Sequence, residues 1–216
     1  MLNAAAEFRT SIAAARQSGV LFDYLTMNVG PPTSFDDLLR FQIVFAVSAF
    51  DKLIHDLIRI GMRDCFIGLR APTAKYKAET IGLEFHGLLA AKMEAEVTAA
   101  LLNQPPPLPP KQFLFEQEIQ RKLSLLSFQD PDRVADGLSL IWAESYKWDL
   151  IAAQMGLPSQ TVRTQLRLLV TRRNAIVHEA DNDPVLATKK PITRQIAIDS
   201  TDFIERCGSA IAHLVI

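Results

Sequence analysis

The chain has 216 residues, 49% apolar and 22% charged, with a formal net charge of −1. That composition supports a folded domain with a sizeable core and excludes a wholly disordered chain. It also excludes a protein that grips long nucleic acid by net charge alone, so any such contact must come from a local patch. One patch stands out between residues 160 and 194, where Arg163, Arg167, Arg172, Arg173, Lys189, Lys190 and Arg194 face only Glu179, Asp181 and Asp183. Cys65 and Cys207 are far apart and show neither CxxC nor Cys/His spacing, so no structural zinc is expected, and two isolated thiols fit a reducing cytoplasm. Glu7 and Arg9 interrupt any signal-like core, and no uncharged apolar run is long enough to predict a membrane span.

In chain order, residues 3–28 predict a helix broken by Gly30-Pro31-Pro32. Ser34 is a good N-cap for a long helix over roughly 35–64, with Asp36 and Asp37 in its first turn. Ser48, Asp51, Lys52, His55, Asp56, Arg59 and Arg63 form a polar side in its second half. Its first half, Phe41 to Val47, reads as apolar all round, which predicts cover on every side by the domain or by another subunit. Residues 72–103 predict one or two helices with a break at Ile81-Gly82. The run 104–110, Gln-Pro-Pro-Pro-Leu-Pro-Pro, cannot be helical and reads as a stiff connector. Helices follow over 111–127 and from Asp130-Pro131, where Asp caps and Pro suits the first helical position. From Trp148 a helix breaks at Gly156-Leu157-Pro158, and another runs over 159–180, ended by Asp183-Pro184. A last helix is expected from Asp199 or Ser200, with 192–198 the only strand candidate. The whole predicts an all-α chain with almost no strand signal and no convincing internal repeat.

The segment Arg172-Arg173-Asn174-Ala175-Ile176-Val177-His178-Glu179 carries the clearest chemistry. Asn174 and His178 are four apart and share a helix face. Arg173 lies about 140° round from His178, so it must reach with its long side chain or meet a second copy across a dimer axis. These residue types suit RNA cleavage by the 2′-hydroxyl. Histidine moves protons near neutral pH, arginine carries phosphorane charge, and asparagine can orient either partner. No metal or cofactor is needed for that chemistry. The same residues would also suit a helix-terminal histidine beside a solvated arginine pair.

The stretch from Trp148 to Asp181, ending Arg-Arg-Asn-Ala-Ile-Val-His-Glu-Ala-Asp, resembles the HEPN superfamily, and within it the RiboL-PSP-HEPN branch. Phe41–Gly61 and Phe203–Ile216 are similar to that branch's second and closing helices, whereas about 65–130 shows no such likeness. The resemblance implies one domain, 1–216, folded as an all-α antiparallel bundle of four to five main helices with about 65–130 as a proline-containing helical insertion. A homodimer and a metal-independent endoribonuclease with an Arg-x4-His motif are implied as well. It also implies a bacterial toxin–antitoxin or phage-defence context, with RNA as substrate and an antitoxin or defence partner. Arg173 and His178 would be the catalytic pair, with Asn174 beside them. Arg172, Arg167, Asp51 and His55 are candidates for RNA binding or support. Some members of the superfamily act only as interaction modules, and that reading stays open. So does a helix-turn-helix over 151–170, in which Gln160, Thr161, Arg163 and Thr164 would face DNA.

Overall fold

In the computed structural model, which describes residues 1–29, 34–80, 83–183 and 188–215, the chain is all-α, with nine helices and no strand among those residues. They are α1 (Leu2–Asn28), α2 (Asp36–Phe66), α3 (Ala74–Ala78), α4 (Leu83–Leu101), α5 (Lys111–Leu123), α6 (Pro131–Leu138), α7 (Lys147–Met155), α8 (Ser159–Glu179) and α9 (Arg194–Val215). The 31-residue α2 is the axis. It packs against α1, α5, α6, α8 and α9, while α7 fills the angle between α8 and α9.

The long helices bury one face each, as their apolar spacing requires. Phe50, Leu53, Ile54, Leu57 and Ile58 of α2 meet Phe8 and Ile12 of α1, Val162 and Leu166 of α8, and Ile204 and Ile211 of α9 in one core. Each such side chain contributes roughly 2 kcal/mol when removed from water. α1 and α2 run antiparallel: Glu7 pairs with Lys52 at 3.0 Å, and Gly19 lies against Gln42. Gly208 lets α9 lie close on α1, because a Cβ there would stand 2.5 Å from the Phe8 ring. α5 supplies Phe115, Ile119 and Leu123 to the same core, so the segment after the proline connector is packed on the bundle. α4 leans mainly on α5 and leaves Leu88, Met93, Val97 and Leu101 exposed.

Several helix ends fall where local chemistry puts them. Asp130 caps α6, accepting from the Asp132 amide at 2.8 Å, with Pro131 at its first position. Gly156 ends α7 with φ 66°, a conformation open to glycine at little cost. The break expected at Ile81-Gly82 and the Gly30-Pro31-Pro32 and Pro184 signals lie outside the described residues.

Other expectations are corrected. Ser34 is not the N-cap of α2: that position is Phe35, and Ser34 Oγ only accepts from the Asp36 amide at 3.4 Å. α5 ends at Leu123, short of residue 127. The 192–198 segment is not a strand, because α9 begins at Arg194, where Thr193 Oγ1 accepts from the Ile196 amide at 3.2 Å. Phe41–Val47 is not covered all round within the chain. Phe41 and Phe45 are 51% and 54% exposed, whereas the polar Gln42 is buried, donating to Thr201 Oγ1 at 2.9 Å and to the Ala197 carbonyl at 3.2 Å.

Candidate active site

α8 has three longitudinal zones. Val162 and Leu166 are fully buried and define the core side. Arg163, Arg167, Asn174 and His178 fall within about 60° of one another on one flank, at 100° per residue. Arg172 and Ile176 occupy the other flank.

Asp51 of α2 accepts from the Phe128 amide at 2.6 Å and from Gln129 Nε2 at 3.3 Å. Just beyond, Asp132 accepts from Arg163 at 2.7 Å and Arg167 at 2.6 Å, and Asp130 lies 3.5 Å from Arg167. One short segment, 128–132, therefore borders both helices. Partial desolvation alone would raise the Asp132 carboxyl, but hydrogen bonds from Arg163 and Arg167 hold it below its ordinary value. Arg167 is thus engaged in an ion pair, as is Arg163.

Arg173 rises from the core side of α8. Its Nε is buried without a partner among the described residues, and its Nη1 donates to Asn174 Oδ1 at 3.0 Å. That bond turns the guanidinium toward the exposed flank. His178, one turn beyond Asn174, is exposed and makes no side-chain bond with the described residues. The structure therefore joins Arg173 to Asn174 and sets His178 on the Asn174 face, without a direct bond between Arg173 and His178.

Asp51 and His55 are one turn apart and half-buried, with His55 Nε2 3.8 Å from Asp51 Oδ1. The His55 ring meets Phe128 edge-on at 4.7 Å. Their contacts hold the loop before α6 and do not reach Arg173 or His178.

Arg172 points away from His178. Its Nη2 donates to Asp181 Oδ2 at 2.6 Å and to the carbonyls of Pro191 and Lys190 at 3.1 and 3.3 Å. Arg40 of α2 meets the same carboxylate at 2.8 Å. Beside it, a hydrogen bond from Lys189 above all, and Arg40 as well, hold the Asp37 carboxyl below its ordinary range. Arg40 and Asp181 were not visible as partners in the sequence, being 141 residues apart. The available signal was faint: a buried-looking arginine within an apolar run, and an Asp just past a helix end.

The α7–α8 hairpin buries Ala152 and Val162 at its contact. Gln160 donates to Thr164 Oγ1 at 3.3 Å, so two of the four DNA-facing candidates bond one another and a third, Arg163, pairs with Asp132. Cys65 and Cys207 are unpaired and buried, and burial pushes the Cys207 thiol up to about 12. Among the described residues no group of three or more His, Cys, Asp or Glu side chains could hold a metal ion, and no helix is long and apolar enough to cross a membrane. Comparison with family models, with curated proteins and with solved structures finds no match to this chain.

Proposed function

We propose that the chain is an endoribonuclease that works through Arg173 and His178 without a metal. The observation that carries this reading is the Arg173–Asn174 bond, which aims a permanent cation at the face bearing an exposed histidine with no partner among the described residues. In the reaction, the RNA 2′-oxygen bonds to the adjacent phosphorus as the bond to the 5′-oxygen breaks. His178 takes the 2′-hydroxyl proton or delivers a proton to the departing 5′-oxygen, and a second His178 supplies the other role in a dimer. Arg173 balances charge on the phosphorane oxygens. The products are a 2′,3′-cyclic phosphate and a 5′-hydroxyl.

The homodimer belongs to this reading. Phe41 and Phe45 form an exposed aromatic pair with ring centroids 6.3 Å apart on α2, a helix that packs against α8. A two-fold contact there would bring two Arg173–His178 faces together. Light scattering should give about twice the 24.0 kDa chain mass. The biological setting we infer is a cytoplasmic defence or toxin–antitoxin system with a restraining partner.

The test is single-stranded RNA incubated with the purified chain and EDTA. Cleavage with cyclic-phosphate ends, and none of the matching DNA, is the expected result. Cleavage of DNA as well would refute the 2′-hydroxyl mechanism.

A further inference from the structure

Three residues beyond His178 the chain buries a carboxylate. Asp181 has no exposed surface. Two guanidinium groups share its Oδ2, Arg40 Nε at 2.8 Å and Arg172 Nη2 at 2.6 Å. The same arginines reach the Lys190 carbonyl, Arg40 at 2.7 Å and Arg172 at 3.3 Å. The Asp181 backbone is engaged too: its amide donates to the Ala175 carbonyl at 2.9 Å, and its carbonyl accepts from the Lys190 amide at 2.8 Å. One residue thus ties the last turn of α8 to the first turns of α2 and to the segment leading into α9.

Two features separate this cluster from ordinary packing. Asp181 Oδ1 is buried with no hydrogen-bond partner among the described residues, so half the acceptor capacity of a desolvated anion goes unused. Ala180 and Asp181 both take left-handed backbone conformations, φ 51° and 59°, without being glycine. Each costs stability. They lie two and three residues after a histidine whose side chain has no partner among the described residues. The position of His178 therefore rests wholly on the backbone of α8's last turn, and the clamp brackets that turn from Arg172 to Asp181.

We propose that the Arg40–Asp181–Arg172 cluster fixes this last turn and so sets His178 relative to Arg173, making Asp181 a positioning residue for phosphodiester cleavage. The proposal rests on the reading of Arg173 and His178 given above. Asp181 never touches the reacting atoms. It acts through the backbone, and its loss displaces the proton-transfer group without removing it. Small displacements of a catalytic group cost on the order of 10²-fold in rate.

The experiment compares the full chain with Asp181→Asn, which keeps the side-chain shape and removes the charge. A second variant, Arg40→Lys, keeps the charge and loses the fork that reaches both Asp181 and Lys190. Circular dichroism checks folding. Amide hydrogen exchange reads residues 177–181 and 190, and kcat and KM are measured separately on a single-stranded RNA oligonucleotide. Both variants should stay helical, with exchange at those amides faster by about tenfold or more in Asp181→Asn and less so in Arg40→Lys. For Asp181→Asn, kcat per folded molecule, with the folded fraction taken from circular dichroism, should fall about 10²-fold with KM nearly unchanged; a loss no larger than the unfolded fraction overturns the positioning role. Should Asp181→Asn not fold, the same pattern in Arg40→Lys decides the matter. Unchanged exchange overturns the clamp, and faster exchange with unchanged kcat overturns the positioning role. A wild-type chain that cuts no RNA defeats the reading of Arg173 and His178 instead, and exchange alone then decides whether the clamp exists.

Discussion

Around the last two turns of α8, neighbouring arginines have opposite fates. Arg172 has three acceptors in Asp181, Lys190 and Pro191, and it sits against a buried anion. Arg173 has one, the Asn174 amide oxygen, while the Nε of both arginines is buried with no partner among the described residues. Charge and residue type are identical, so burial and partners make the difference. A guanidinium tied to a buried anion holds structure, and one with a single neutral acceptor can bind a phosphate.

The largest expected effect tests the open side. His178→Ala should lower RNA cleavage by roughly 10²–10⁴-fold and leave the melting temperature almost unchanged, since the side chain makes no bond to lose. Cleavage at the wild-type rate would break the contrast at its active end. Exchanging the two arginines' roles comes next. Arg172→Gln removes one partner from a buried anion and should cost about 3 kcal/mol in urea unfolding. Arg173→Lys should cost under about 0.5 kcal/mol yet impair cleavage, because lysine lacks the planar fork. Equal stability losses would mean that the two sites are not distinct.

Acid sharpens the comparison more gently. The Asp132 carboxyl lies below its ordinary value of 3.8 in the folded chain, because Arg163 and Arg167 bond it. A depressed carboxyl stabilises the fold fully above the unfolded value and loses that contribution as pH falls through the folded one. Asp37 behaves alike through Lys189. Stability should therefore be flat above pH ~5 and decline below pH ~4, by a small amount because both carboxylates are solvent-exposed. A chain as stable at pH 2 as at pH 6 would show that these pairs contribute nothing.

Legibility in the sequence followed the range of the interactions. Asp130-Pro131 and Gly156 mark helix ends through bonds within a few residues, and both were readable. The Asn174–His178 face was readable because helix periodicity alone places it. The direction of the Arg173 side chain was not, since it depends on Asn174 accepting its proton. Gln42 was misread because its buried partners, Ala197 and Thr201, lie over 150 residues away. Asp51 looked like a solvated or supporting group, and what it holds is the amide of Phe128. Ile192 and Ile196 alternate like a strand, but Thr193 starts a helix between them, and Ile192 and Ala197 pack on Leu39 and Ile43.

The attachment of α4 has a consequence for how the protein comes apart. Among the helices it contacts chiefly α5, and its outward surface carries Leu88, Met93, Val97 and Leu101. A helix held on one side is a local opening unit whose release costs less than global unfolding. Each opening would bare apolar surface on both faces while the α2-centred core stays intact. Loss of native protein on storage would then begin as sticking between partly opened, still mostly folded molecules, at a rate set by α4 and indifferent to substitutions in α8.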